Sequence, residues 1–134
     1  MNEYRILVVD DEEDLCEILK FNLENEGYVV DTANSAEEAL KLDISAYNLL
    51  LLDVMMGEIS GFKMASMLKK EKKTAKIPII FITAKDTEND TVTGFNIGAD
   101  DYISKPFSLR EVAARVKAVL RRTRQTETER APEQ

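Results

Sequence analysis

The sequence predicts an α/β fold, a five-stranded parallel sheet doubly wound with helices on both faces. Two observations predict it. Apolar bursts at "RILVV", "YVVDTA", "NLLLL", "PIIFIT" and "DYI" alternate five times with amphipathic stretches. The bursts are apolar throughout instead of alternating, which calls for burial on both faces, as in a parallel sheet. Start and stop signals for helices fall between them.

The elements follow in order. After "RILVV", Leu15, Ile18, Leu19 and Leu23 have the i, i+3, i+4, i+8 spacing of one helical face, and Gly27 stops the helix. The second helix opens at "SAEE", where Ser35 and Glu38 have capping-box spacing. A third follows Ser60 and turns Phe62, Ala65 and Leu68 inward. The fourth, after Thr87, is weaker, and its apolar anchors are Val92, Phe95 and Ile97. The fifth opens with a second capping box, Ser108 to Glu111, and carries Leu109, Val112, Val116, Val119 and Leu120 on one face. Apolar periodicity ends at Arg122. The domain is therefore expected over residues 1–122, and residues 123–134, "TRQTETERAPEQ", read as a linker or disordered tail.

Composition limits the function. A chain of 134 residues, 44% apolar and 32% charged, is one globular domain. "MNEYRILVVDD" lacks the features of a signal peptide, and no apolar run is long enough to span a bilayer. One cysteine, Cys16, forms no internal disulfide, which suits a cytoplasmic setting, and the absence of histidine excludes the common zinc sites. A net charge of −7 argues against direct contact with nucleic acid. The basic stretch "RVKAVLRRTR" reads as a helix end complementing the helix dipole. No GxxxxGK[ST] or GxGxxG follows the first strand, so nucleotide binding is not expected.

The strand ends carry the chemistry. Ligand sites of open parallel sheets lie beyond the carboxyl ends of the strands. There the first strand brings Asp10 and Asp11, the third Asp53, the fourth Thr83 and the fifth Lys105. Singly, each has an ordinary explanation as an N-cap, loop hydroxyl or surface lysine. At four strand ends together, coincidence is the weaker account. Carboxylates roughly 5 Å apart repel by about 3 kcal/mol per pair at an effective dielectric near 20. Such a cluster must bind a cation or take up protons, and an oxygen-only set suits Mg²⁺, which often links carboxylates to a phosphate.

These motifs resemble a family. "ILVVDDE", "LLLLDVMM", "IPIIFITAK" and "GADDYISKPF" are similar to the receiver domains of bacterial two-component response regulators, over about residues 3–122. The segment "GADDYISKPFSLREVAARVKAVLRR" resembles the winged-helix OmpR/PhoB-like transcription-factor branch. The resemblance implies the flavodoxin-like (βα)5 receiver fold and a phosphorylation-dependent switch rather than an enzyme acting on other substrates. Asp53 would accept a phosphoryl group from a partner sensor histidine kinase. Asp11 and Asp53, with the backbone carbonyl of Met55, would ligate Mg²⁺, and Asp10 would act mainly through a metal-bound water. Lys105 and Thr83 would contact the phosphoryl oxygens, and Tyr102 would swing inward when Thr83 moves. The Lys105–Pro106 bond is expected to be cis. Homodimerisation on phosphorylation would use the fourth helix, fifth strand and fifth helix, with Asp100, Asp101, Glu111, Arg115 and Arg122 as candidates. DNA would be reached only through a C-terminal domain following the tail.

The chain departs from the family pattern at Gly57, where proline is usual, at Ser60, where an acid is usual, and at Thr91, where a basic partner for Glu111 is usual. A stand-alone receiver acting by protein contact is the alternative. A phosphohydrolase with an aspartyl intermediate is disfavoured, since Met55 stands where such enzymes carry a second Asp. A purely structural pseudo-receiver is disfavoured by the complete acidic set.

Overall fold

The computed structural model describes residues 3–84 and 88–130. Its order is β1 (Arg5–Val9), α1 (Glu13–Asn25), β2 (Val29–Ala33), α2 (Ala36–Ala39), a 3-10 turn (Ile44–Ala46), β3 (Leu49–Leu52), α3 (Gly61–Lys69), β4 (Ile79–Thr83), α4 (Glu88–Ile97), β5 (Asp101–Ser104) and α5 (Leu109–Arg130). All strand pairs are parallel, in the order β2-β1-β3-β4-β5, so β1 lies between β2 and β3. This is the expected doubly wound sheet.

The sheet is two-sided because its strands are. Leu7, Val9, Leu50, Leu52, Ile79 and Phe81 pack on one face with α2 and α3 residues such as Ala39, Met64 and Leu68. Ile6, Val8, Leu49, Leu51, Ile80 and Ile82 pack on the other with Leu19 and Leu23 of α1 and Val112, Val116, Val119 and Leu120 of α5. Strand side chains alternate between faces, so "LLLL" of β3 feeds both cores with two leucines each.

Four details differ from the sequence reading. The buried face of α1 is Cys16, Leu19 and Leu23, while Leu15 is half-buried and Ile18 and Phe21 are exposed. Leu19 and Leu23 lie on the expected face, but the small Cys16 fits against the turn after β1, its Sγ 3.3 Å from the Asp10 carbonyl. Of the expected α4 anchors, Ile97 is half-buried against the core but Val92 and Phe95 are exposed, and Gly94 is the buried position among the described residues. A Cβ at Gly94 would sit 3.1 to 3.4 Å from ring atoms of Phe81, Tyr102 and Phe62, so the helix backbone itself lies against three aromatic rings. Both capping boxes are half formed. Ser35 Oγ and Ser108 Oγ accept from the N–H groups of Glu38 and Glu111, but Glu38 turns to the Asn34 N–H and Glu111 to Arg115. Finally, α5 continues to Arg130, so the backbone of 123–130 is helical where a linker or loose tail was expected. Arg, Glu and Gln, five of these eight residues, are good helix formers, and apolar periodicity marks burial, not the end of a helix. Thr87 and residues 131–134 lie outside the described residues.

Gly61 ties the fold to the site. It is buried at the start of α3, its N–H bonds the Val54 carbonyl at 2.9 Å, and any Cβ there would collide with the Asp53 carbonyl oxygen. Gly61→Ala is therefore expected to cost about 1–3 kcal/mol, because backbone rather than a flexible side chain must give way. Urea unfolding of the two proteins measures it, and an unchanged midpoint would contradict the close approach.

Candidate functional site

Three of the residues that matter lie one position past the end of a strand, and each is held by one more ladder hydrogen bond. The Asp10 N–H donates to the Ala33 carbonyl at 3.1 Å, that of Asp53 to Val9 at 2.9 Å, and that of Lys105 to Thr83 at 2.9 Å. Thr83 is the last residue of β4. The strands thus aim these side chains outward from their carboxyl ends while fixing the backbones beneath them. Beyond Lys105 the peptide to Pro106 is cis, as expected.

Two of the carboxylates are buried, Asp10 at 2% exposure and Asp53 at 4%. Lys105 lies between them, its Nζ 3.1 Å from Asp10 Oδ2 and 3.5 Å from Asp53 Oδ2. Asp53 also accepts from the Met55 N–H at 3.3 Å and from the buried Thr83 hydroxyl. Asp10 Oδ1 accepts from the Glu12 N–H at 2.9 Å, and the Asp10 carbonyl accepts from Asn34 Nδ2 at 3.1 Å. Burial and then the charge of Asp10 push the Asp53 carboxyl up to about 6, against the pull of Lys105, Thr83 and the Met55 N–H. Burial also raises Asp10. For Lys105 burial opposes the charge, but the surrounding carboxylates outweigh it and its value is raised. Burial lifts the Cys16 thiol to about 11, so it is no nucleophile near neutrality.

The sequence reading placed Asp10, Asp53, Thr83 and Lys105 together, and they meet. Asp11 is exposed beside them. Among the described residues, the acidic group with oxygens all within 4.8 Å of one another is Asp10, Asp11 and Glu12, without Asp53. The Lys105 ammonium, lying between Asp10 and Asp53, is what joins Asp53 to that group. Glu12 was missed. Its Oε2 lies 3.2 Å from Lys105 Nζ, and the only signal for it was its place as the third acid of "DDE". The Met55 side chain is exposed, next to an open hollow lined by Val54, Met55, Met56, Gly57, Ser60 and Phe62.

Behind Thr83, Tyr102 is half-buried, its ring 6.2 Å from that of Phe81 and tilted by 59°. On the adjoining edge the candidate dimer residues pair within the chain. Arg115 Nη1 lies 3.0 Å from both Asp101 oxygens, and its Nε lies 3.1 Å from Glu111 Oε2. Asp100 Oδ2 accepts from the Ile79 N–H at 3.0 Å, and Arg122 donates to the Asp100 carbonyl at 3.5 Å. The side chain of Thr91 lies outside the described residues.

A five-stranded parallel sheet with an acid pair, an aspartate, a threonine and a lysine at its carboxyl edge defines a class. The chain belongs to the response regulator receiver domain family, whose model matches residues 6–117. It is 50% identical over 120 residues to the alkaline phosphatase synthesis transcriptional regulatory protein PhoP of Bacillus subtilis, covering 89% of this chain and 49% of that protein. It is 48% identical over 126 residues to the transcriptional regulatory protein ResD of the same organism, covering 93% of this chain and 51% of ResD. The chain spans about half the length of these curated relatives. Among solved structures it resembles a CheY-like receiver domain protein from Methanospirillum hungatei, with TM-score 0.86 and 30% identity over 93% of this chain and 99% of that one. The BeF3-activated DrrB receiver domain gives TM-score 0.82 and 31% identity over 90% and 99%. Among the described residues no helix is long and apolar enough to cross a membrane.

The raised Asp53 value has a sign. A carboxyl at about 6 in the folded chain and 3.8 unfolded binds its proton more tightly when folded. The stability it contributes is complete below 3.8 and is lost as pH rises through 6. In EDTA at neutral pH, Asp53→Asn is therefore expected to raise stability by about 1–3 kcal/mol. The gain should vanish below the unfolded value, and chemical unfolding across pH checks both statements.

Proposed function

We propose that this chain is a phosphorylation-dependent switch of a two-component system, acting in the cytoplasm, with Asp53 as phosphoacceptor. The observation that carries the reading is the meeting of buried Asp10 and Asp53 with Lys105 and Thr83 at four strand ends. An Asp53 carboxylate oxygen forms a bond to phosphorus as the P–N bond of a kinase phosphohistidine breaks, and the imidazole leaves with the electron pair. The chain contains no histidine, so the donor comes from another protein. Phosphoryl transfer of this kind needs positioning and charge neutralisation more than covalent assistance. Lys105, already within 3.5 Å of Asp53, supplies one cation, and the Thr83 hydroxyl is placed to donate to a phosphoryl oxygen.

The donor set suits Mg²⁺. It offers hard carboxylate oxygens, those of Asp10 and Asp11 within 4.8 Å of each other, and in Asp53 a buried acid whose raised value records the cost of its charge. Asp11, Asp53 and the Met55 carbonyl would hold the ion, with Asp10 reached through water. When bound, Mg²⁺ supplies the positive charge that lets a phosphoryl oxygen approach several carboxylates.

The output follows from neighbouring residues. When the Thr83 hydroxyl leaves Asp53 for the phosphoryl group, Tyr102 gains room to turn inward, and the surface of α4, β5 and α5 changes. That surface carries exposed Val92 and Phe95 beside Asp101, Glu111, Arg115 and Arg122, and we assign it to homodimerisation. The likeness to PhoP and ResD, both named transcriptional regulators, supports transcription as the output. Residues 1–122 are then the phosphoacceptor unit and 123–134 a connection toward a DNA-binding domain, the only part to touch DNA.

Acetyl phosphate with Mg²⁺ is expected to add one phosphoryl group by intact mass. Asp53→Asn and EDTA are each expected to reduce incorporation to background. Beryllofluoride is expected to raise the sedimenting mass toward that of a dimer. Incorporation that survives Asp53→Asn would overturn the assignment, and an unchanged mass over a wide concentration range would overturn dimerisation.

A further inference from the structure

Glu12 belongs to no role assigned so far. Its backbone is fixed, the N–H donating to Asp10 Oδ1 at 2.9 Å and the carbonyl accepting from the Cys16 N–H at 3.1 Å. Its side chain is 62% exposed, yet it reaches Lys105, with Oε2 3.2 Å from Nζ. The same Nζ lies 3.1 Å from Asp10 Oδ2 and 3.5 Å from Asp53 Oδ2. The ammonium hydrogen-bonds Asp10 and Glu12, while Asp53 faces it as an ion pair. A phosphoryl oxygen arriving at Lys105 therefore competes with these anions for the ammonium.

The three partners are not equally replaceable. Asp10 and Asp53 are buried and sit on backbones pinned to neighbouring strands, so neither can withdraw without leaving a buried charge unpaired. Glu12 can swing into water, where its charge is solvated and the lost ion pair costs little. We infer that Glu12 is the releasable third partner of Lys105, an electrostatic brake that occupies the ammonium before phosphorylation and repels an anionic donor as it arrives. This rests on Asp53 being the phosphoacceptor.

With acetyl phosphate, an Asp53 oxygen bonds to phosphorus, the bond from phosphorus to the acetate oxygen breaks, and acetate leaves with the electron pair. One Lys105 N–H turns from Glu12 to a phosphoryl oxygen, and no proton is lost from the ammonium.

Glu12→Gln keeps the size and the backbone contacts while removing the charge. Under saturating Mg²⁺, determined separately for each protein, phosphoryl incorporation from acetyl phosphate is expected to be about 3- to 10-fold faster in the variant at low ionic strength. The gap should close toward parity as NaCl approaches about 1 M, where screening acts within about 3 Å. A merely structural role would not give that salt dependence. A second readout needs no metal. In EDTA, the unfolding midpoints of Glu12→Gln, Lys105→Met and the double variant are expected to be non-additive, as for contacting residues. Equal or slower incorporation in Glu12→Gln, a salt-independent gap, or additive midpoints would each overturn the brake. No incorporation into the unsubstituted chain would overturn the phosphoacceptor reading, and the brake with it.

Discussion

Two carboxylates, Asp10 and Asp53, are buried on neighbouring strands and share one ammonium, and the rest of the molecule is arranged to make this tolerable. An isolated buried carboxylate costs several kcal/mol. Here β1 and β3 are adjacent in the sheet, and the ladder carries one residue further to fix both aspartates. The β5 backbone, likewise tied to β4, delivers Lys105 to both acids. The leucines of β3 supply the buried platform from which Asp53 projects. Gly61 lets the start of α3 lie against the Asp53 peptide. The remaining strain is visible in the acids themselves, both raised above the ordinary carboxylate value.

In the proposed switch that strain is the source of response. A site whose anions are only partly compensated gains most from a cation and a rearranged hydrogen-bond network. Thr83 bonds Asp53, and Phe81, two residues earlier in β4, lies among Tyr102, Phe62 and the Gly94 backbone. The helix on that side is lightly anchored. Gly94 supplies no side chain, Val92 and Phe95 face away from the core, and of the expected anchors Ile97 alone packs against it, half-buried. Elements with few buried apolar contacts are the ones that move at low cost. The same exposed residues, beside the Asp101–Arg115–Glu111 pairs, give a changed α4 surface something apolar to offer a second copy.

The fold and the centre of the site were legible because they rest on strong, local signals. All-apolar strands ending in acids declare both a parallel sheet and its functional edge, so the sequence alone places Asp10, Asp53, Thr83 and Lys105 together. What escaped depends on three-dimensional competition. Ile18 matches the helical spacing as well as Cys16 does, and only the space beside the Asp10 carbonyl decides between them. A buried glycine in α4 leaves no apolar signature, so Val92 and Phe95 stood beside Ile97 as the natural anchors. The helix beyond Arg122 has no apolar face to mark it. Glu12 was hidden because an acid at the start of a helix is ordinary, and its reach to Lys105 depends on a strand end 93 residues away.

The shared ammonium is tested most directly by following the Asp53 side-chain carboxyl carbon by NMR across pH in EDTA, in the unsubstituted chain and in Lys105→Met. A midpoint near 6 that moves upward when the ammonium is removed is expected. A midpoint near 3.8 that ignores the substitution would mean that Asp53 is neither confined nor held by Lys105.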